Sequence, residues 1–200
     1  MKKSIFSILC AALVALALSG CASLSEPAEK AETLLYGNIV YNFKCYPNNH
    51  GFPENDSKTN GIEIQIQNLK TKKVYFINSK SNGEIIRQNL PEGVYCLKRI
   101  QRGFKVTNGW ADDMKINFET NNYRFAVNAD TVTNLGQIDV NIDIVNIDVT
   151  QFTWRPKVIW DKDFSKAYNT YAANHIESPW LDKKWLNARE SFVYYDENNK

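Results

Sequence analysis

Apolar and polar residues alternate along most of the chain between Leu35 and Trp160. Ile39, Tyr41, Phe43 and Cys45 fall on one face of a candidate strand, and Ile62, Ile64 and Ile66 alternate with Glu63, Gln65 and Gln67. A period of two puts successive side chains on opposite faces, so each run predicts a half-buried strand. Val74 to Ile77 is apolar throughout and predicts a strand covered on both faces. Ile85-Ile86, Val94 to Leu97, Met114-Ile116-Phe118 and Tyr123-Phe125-Val127 predict four more strands. Ile138 to Val149 predicts a long one, with a bulge where Ile144 and Val145 adjoin. Turn formers separate these runs: the polar stretch Tyr46 to Asn60, a hairpin-type Asn82-Gly83, and Asn121-Asn122. After Trp160 the period lengthens. Phe164, Tyr168, Tyr171, Ala172 and His175 recur at helical spacing, with Asp161 or Asp163 placed to cap the start. Ser178-Pro179 reads as an N-cap followed by proline at the first helical position, opening a second short helix through Asn187. Phe192 to Tyr195 predicts a last strand. Many short strands without helices between them argue for an antiparallel β-sandwich over residues 35–160, followed by a short helical C-terminal appendage over 161–200.

The middle of the sandwich carries a more specific pattern. The alternating strand Ile62–Ile66, the turn at Asn82-Gly83 and the stretch Asn89-Leu90-Pro91-Glu92-Gly93-Val94-Tyr95 resemble part of a transthyretin-like or carboxypeptidase-regulatory-like domain, a prealbumin or immunoglobulin-like sandwich. In that family such a stretch turns the chain between two core strands. Physical reasoning reads it the same way: Pro91 presets φ, Gly93 relaxes the turn, and Tyr95 re-enters the core. The likeness covers Gly61 to Arg99 and implies a binding, spacing or folding accessory, not a catalyst.

At the N-terminus, Lys2 and Lys3 precede an apolar stretch from Ile5 to Leu18 broken only by Ser7. Basic head, short apolar core and small residues are the layout of a secretory signal over residues 1–20, too short for a stable membrane span. It closes with Leu18-Ser19-Gly20-Cys21, which resembles the lipobox of bacterial lipoproteins. That resemblance implies cleavage before Cys21 and attachment of diacylglycerol to its thiol. Two or three acyl chains, at roughly 0.8 kcal/mol per methylene, make such an anchor effectively permanent. Residues 21–34 then hold the lipidated cysteine and a tether rich in Ser, Ala, Glu and Lys. Ala22 follows the cysteine where an aspartate would signal retention in enteric-type bacteria, which implies the outer membrane as the address.

Removing the signal changes the charge picture. It contains two of the 24 basic residues and none of the 22 acidic ones, so the chain from Cys21 onward is formally neutral. That balance gives no basis for a nucleic-acid partner or an electrostatic membrane-binding face. Of four cysteines, Cys10 leaves with the signal and Cys21 is lipidated. Cys45 and Cys96 remain, in a compartment where disulfides persist. Two readings are open: a Cys45–Cys96 bridge closing a loop of roughly 50 residues, worth about 4 kcal/mol before strain, or two separate buried thiols.

Candidate catalytic groups are sparse. His50 lies in the Asn-rich loop and His175 near a helix end, and neither sits at zinc-ligand spacing. No nucleophile elbow, zinc-protease, P-loop or dinucleotide motif occurs. Asp139, Asn141 and Asp143, followed by Asn146 and Asp148, make an oxygen-rich row. A strand spaces such side chains about 7 Å apart, so the row reads as a solvated face instead of a calcium site. No cofactor and no metal is expected. All five tryptophans lie in the second half of the chain. Trp154, Trp160, Trp180 and Trp185, beside Tyr168, Tyr171, Tyr194 and Tyr195, either form a groove for a glycan or partner protein where the tail meets the sandwich, or glue the tail to the domain. The expectation is therefore an envelope lipoprotein, membrane-bound through its N-terminal lipid, that binds or supports a protein or glycan partner without catalysis. An envelope hydrolase or cell-wall-modifying enzyme is the alternative from another class, and a purely architectural subunit is a third.

Overall fold

Alternation builds the core. In Ile62–Asn68 (β3) burial switches at every residue, with Ile62, Ile64 and Ile66 fully inside. The later parts of Thr33–Tyr46 (β1) and Thr131–Asn146 (β9) alternate in the same way, with Ile39, Tyr41 and Phe43 and then Ile138, Val140, Ile142 and Ile144 facing inward, whereas residues 33–37 and 131–136 are buried on both faces. The computed structural model describes residues 32–46, 55–105, 111–146, 152–161 and 164–198. The signal, Cys21, His50, Trp110 and Asp148 lie outside the described residues.

The remaining strands are Asn55–Lys58 (β2), Val74–Asn78 (β4), Glu84–Gln88 (β5), Gly93–Lys105 (β6), Ala111–Asn117 (β7), Arg124–Val127 (β8), Phe152–Asp161 (β10) and Lys184–Asn187 (β11). Helices span Phe164–Asn174 (α1) and Ala188–Asn198 (α2), with a 3-10 turn at Pro179–Asp182 between them. Two sheets pack face to face. The first is built on β1 and β9, paired in parallel from Thr33 opposite Thr131 to Tyr46 opposite Val145. Outside β9 lie β11 and β10, end to end; outside β1 lie β5 and β2. The second sheet runs β4-β3-β6, with β7 and β8 sharing the far side of β6. Between them Ile62, Ile64, Ile66, Leu97 and Ile100 meet Ile39, Ile138, Val140 and Ile142. Each such side chain stabilises the fold by about 1.5–3 kcal/mol when fully buried.

The molecule is thus mainly β, a sandwich with helices at its C-terminal end, but several elements differ from the sequence expectation. The sandwich is not wholly antiparallel, because β1 pairs in parallel with β9 and β9 with β11. A period of two is identical in both directions, so alternation carries no sign of it. Val74 to Ile77 is not covered on both faces. At the sheet edge Tyr75 and Ile77 face the core, whereas Phe76 is 55% exposed. Asn82-Gly83 does not close a hairpin, since β4 and β5 belong to different sheets. It makes the corner between them, with the Gly83 amide donating to the Lys80 carbonyl at 3.0 Å. The register slip of β9 falls at Leu135-Gly136, two residues against Gly37, not at Ile144-Val145, where pairing with β1 is continuous. Strand β2 lies inside the stretch read as loop.

The Asn89–Tyr95 stretch crosses from β5 in the first sheet to β6 in the second. Tyr95 is fully buried, stacks on Phe125 at 5.9 Å and donates its hydroxyl hydrogen to the Pro91 carbonyl at 2.6 Å. Gly93 sits at φ +147°, and a Cβ there would lie 2.9 Å from the side-chain nitrogen of Asn68. Asn68 cannot yield, because its carbonyl oxygen already accepts the Lys70 and Thr71 amides. Gly93→Ala is therefore expected to cost about 1–3 kcal/mol, read as a lower urea midpoint at unchanged slope.

The tail departs furthest. The helix expected from Pro179 through Asn187 is one 3-10 turn, capped by Ser178. The chain then adds β11 to the first sheet in parallel with β9, so the largely helical C-terminal segment also contributes one edge strand to the sandwich. Phe192 to Tyr195 is helical, not a strand. The Asn187 side chain accepts the Arg189 and Glu190 amides, while the Glu190 carboxylate accepts the Asn187 amide at 3.0 Å. This reciprocal capping box starts α2 and overrides the β propensity of the Phe-Val-Tyr-Tyr run. Buried Ser191 ties α2 down: its hydroxyl accepts the Ala126 amide at 2.9 Å, and its carbonyl accepts from Asn128 at 3.0 Å.

Candidate functional site

Docking α2 on β8 leaves an open cleft of about 700 Å³ where the tail meets the sandwich. Its walls are Tyr123 and Arg124 at the start of β8, Trp160 at the end of β10, Phe164 at the start of α1, and Asn187, Ala188, Arg189 and Phe192 around the start of α2. All eight are at least partly exposed. Tyr123 and Trp160 stack at 5.1 Å with planes 22° apart, and Phe118 meets Tyr123 edge-on at 4.9 Å. The Trp160 indole N–H donates to the Leu135 carbonyl, which fixes the ring from behind. Phe164 is held through its carbonyl, which accepts from Asn134 at 3.0 Å. Tyr123 sits in the left-handed region at φ +51°, a conformation that costs a bulky residue energy and is tolerated where packing dictates the ring's position.

The polar groups of the cleft are cationic or neutral. Arg124 donates Nε to the Thr120 carbonyl at 3.0 Å and Nη2 to the Asn121 side chain, both uncharged partners. The Arg189 guanidinium has no hydrogen bond or ion pair with the described residues. Cleft size falls in the range of small-molecule sites, about 300–1,000 Å³.

Of the four tryptophans expected to form a groove, only Trp160 lines this cleft. Trp180 is fully buried among Leu34, Tyr36, Val132, Ala167 and Tyr171, so it glues the tail and cannot face a ligand. Trp185 packs edge-on against Tyr36, Tyr168 and Tyr171 and donates its indole N–H to the Trp180 carbonyl at 3.0 Å. Its remaining edge lines a second opening, with Lys184 over the Tyr194 ring at 4.5 Å. Trp154 packs against the sandwich core, opposite Ile144. Tyr123, Arg124, Asn187, Arg189 and Phe192 escaped the sequence reading. The Asn187-x-x-Glu190 spacing was the one available signal, since it locates the helix start that carries Arg189 and Phe192.

The other candidates lie elsewhere. Of the two readings of Cys45 and Cys96, Cys96 fits that of a separate buried thiol: it is free, and burial pushes its pKa up. Its neighbours Tyr95 and Leu97 face the core, so alternation turns Cys96 to the outer face of the second sheet, away from β1. The side chain of Cys45 lies outside the described residues. Asp139, Asn141 and Asp143 stay spread along β9; Gln137 donates to Asp139 at 2.7 Å and Asn42 to Asn141 at 3.2 Å. Among the described residues no three His, Cys, Asp or Glu side chains converge as metal ligands.

His175 belongs to a closed polar cluster beneath the end of α1. Its Nε2 approaches Glu84 Oε1 at 3.3 Å, and Asn174 and Tyr36 donate to the same oxygen at 2.8 and 3.3 Å. Lys80 lies 3.6 Å from Oε2. The Glu84 side chain is only 2% exposed, so this cluster locks α1 to the corner at Asn82-Gly83 instead of facing a substrate. No family model matches the chain, and no curated protein or solved structure matches it significantly.

Proposed function

We propose that this protein is a bacterial lipoprotein, lipidated at Cys21 and held on the outer membrane, whose sandwich is a non-enzymatic binding module that uses the Tyr123–Trp160 cleft. The observation that carries the binding role is the composition of the cleft: five partly exposed apolar or aromatic side chains and two guanidinium groups, with no carboxylate, thiol or imidazole among the described residues of its walls. Such a wall offers stacking area and hydrogen-bond donors, the ingredients of recognition, and lacks a group that could take or give a proton near neutrality. The Glu84–His175 pair has that chemistry but lies beneath the end of α1, with the carboxylate buried and the imidazole half-buried. The transthyretin-like likeness of Gly61 to Arg99 supports the same reading, since the crossover at Pro91 to Tyr95 is a scaffold feature that leaves the chain's ends and loops free to build a site.

The anchor is tested on protein purified from its native membrane. Intact-mass analysis is expected to give a chain that begins at Cys21 and is heavier by acyl groups. The Cys21→Ala variant is expected to lose that species and to leave the membrane fraction. A wild-type chain of unmodified mass in the soluble fraction would overturn the anchor while leaving the cleft in place.

A further inference from the structure

We propose that the cleft selects a small amphiphilic anion, with a flat or chain-like apolar body and a single carboxylate, sulfonate or phosphate head. The inference rests on the cleft being the binding site and adds the class of its ligand. The two halves of that ligand are read from the two halves of the wall. Trp160, stacked on Tyr123, faces Phe164 and Phe192 across a space of about 700 Å³, which suits a body of one or two rings or a short acyl chain. At the rim stand Arg124 and Arg189, and the described lining residues include no acid to neutralise them.

Glu190, next in the chain, turns its carboxylate back to the Asn187 amide and lines the adjoining opening instead of this cleft. Arg124 is oriented without being neutralised, because the Thr120 carbonyl and the Asn121 amide oxygen fix its plane and carry no charge. A guanidinium held in place by neutral acceptors has little rotamer freedom left to lose, so an anion that reaches its free N–H groups gains a charge-assisted hydrogen bond at small entropic cost. Arg189 is shared with the adjoining opening, which Lys184 and Glu190 line with one charge of each sign. Cations on one rim, aromatics beneath it and no carboxylate among the described lining residues make the site asymmetric. A neutral sugar finds few of the paired acceptors that its hydroxyls require, and a cation meets repulsion.

The test uses a matched pair of fluorescent probes on the folded chain from residue 22 onward, with the full lipidated protein in detergent as a second sample. 1-Anilinonaphthalene-8-sulfonate and N-phenyl-1-naphthylamine share nearly the same rings and differ in the sulfonate. The anionic probe is expected to bind about tenfold more tightly than the neutral one, and a rise in salt is expected to erase that preference. The exposed double substitution Arg124→Gln with Arg189→Gln is expected to remove the preference and leave neutral-probe binding unchanged, with circular dichroism confirming the fold. Equal affinity for both probes in the wild type, or a preference that survives the double substitution, overturns the proposed ligand class while the cleft remains a binding site. Binding of neither probe overturns the cleft reading itself, and this proposal with it.

Discussion

Replacing Trp180 with alanine is expected to cost about 3–5 kcal/mol, the usual loss for a fully buried tryptophan, and to loosen the chain from Phe164 onward before the sandwich gives way. The side chain fills the centre of a cluster distinct from the main core, beneath α1 and against the first turns of β1 and β9. Its carbonyl also accepts the Trp185 indole and the Lys183 amide, so the backbone there anchors both the 3-10 turn and the start of β11. Removing the ring leaves a void beside Tyr36 and Tyr171 that the aromatic neighbours, already packed edge to face at 4.9 Å, cannot close without breaking their own contacts. The inter-sheet core contains none of these residues. Hydrogen exchange is therefore expected to accelerate first in α1, β11 and α2, while β3 and β6 keep their protection. Uniform acceleration through the whole chain would mean that the tail and the sandwich unfold as one unit. The loss is large against a typical stability of about 5–15 kcal/mol, so denaturant midpoints resolve it easily.

What the sequence made legible, and what it did not, follows the range of the interactions. Ile62 to Ile66 could be read because the alternation of a half-buried strand is written in consecutive residues. So could the start of the 3-10 turn, because Ser178 and Pro179 act on the backbone within two positions. The parallel pairing of β1 with β9 could not, since it is decided by contacts about a hundred residues apart and leaves the same alternation as an antiparallel pair. Strand β2 is Asn55-Asp56-Ser57-Lys58, a wholly polar edge strand held by backbone hydrogen bonds that no side chain advertises. The error at Phe192 to Tyr195 is of another kind. The propensity of β-branched and aromatic residues was heard, and the stronger local signal five residues earlier, the Asn187 to Glu190 capping box, was not. The candidate site shared this fate. Aromatic crowding in the second half was visible, but three of the four tryptophans serve packing, and the cleft needs Tyr123 and Arg124 from the end of the neighbouring sheet and Arg189 from α2, which only tertiary packing brings to Trp160.

The second large effect concerns the other lock on the tail. Glu84→Ala is expected to cost about 3 kcal/mol at neutral pH, because it leaves Asn174, Tyr36 and His175 facing a buried site without their acceptor. Glu84→Gln keeps the shape and one acceptor, so it costs less, and its value lies in the pH profile. Burial raises the pKa of the Glu84 carboxyl, but hydrogen bonds from Asn174 and Asn82, with His175 and Lys80 close by, outweigh burial and hold it below the ordinary glutamate value. A carboxylate with a lower pKa in the folded than in the unfolded chain contributes its full stability above the unfolded value, about 4.3. It then loses that contribution as pH falls through the folded value. Urea midpoints for wild type and Glu84→Gln should therefore differ by a constant amount from pH 7 down to about pH 5 and converge as the carboxyl protonates. A gap that stays constant down to pH 3 would show that the glutamate acts through shape alone. A gap that closes places a charged clamp at the corner between the two sheets, holding down the C-terminal end of the helix whose first residue, Phe164, forms one wall of the cleft.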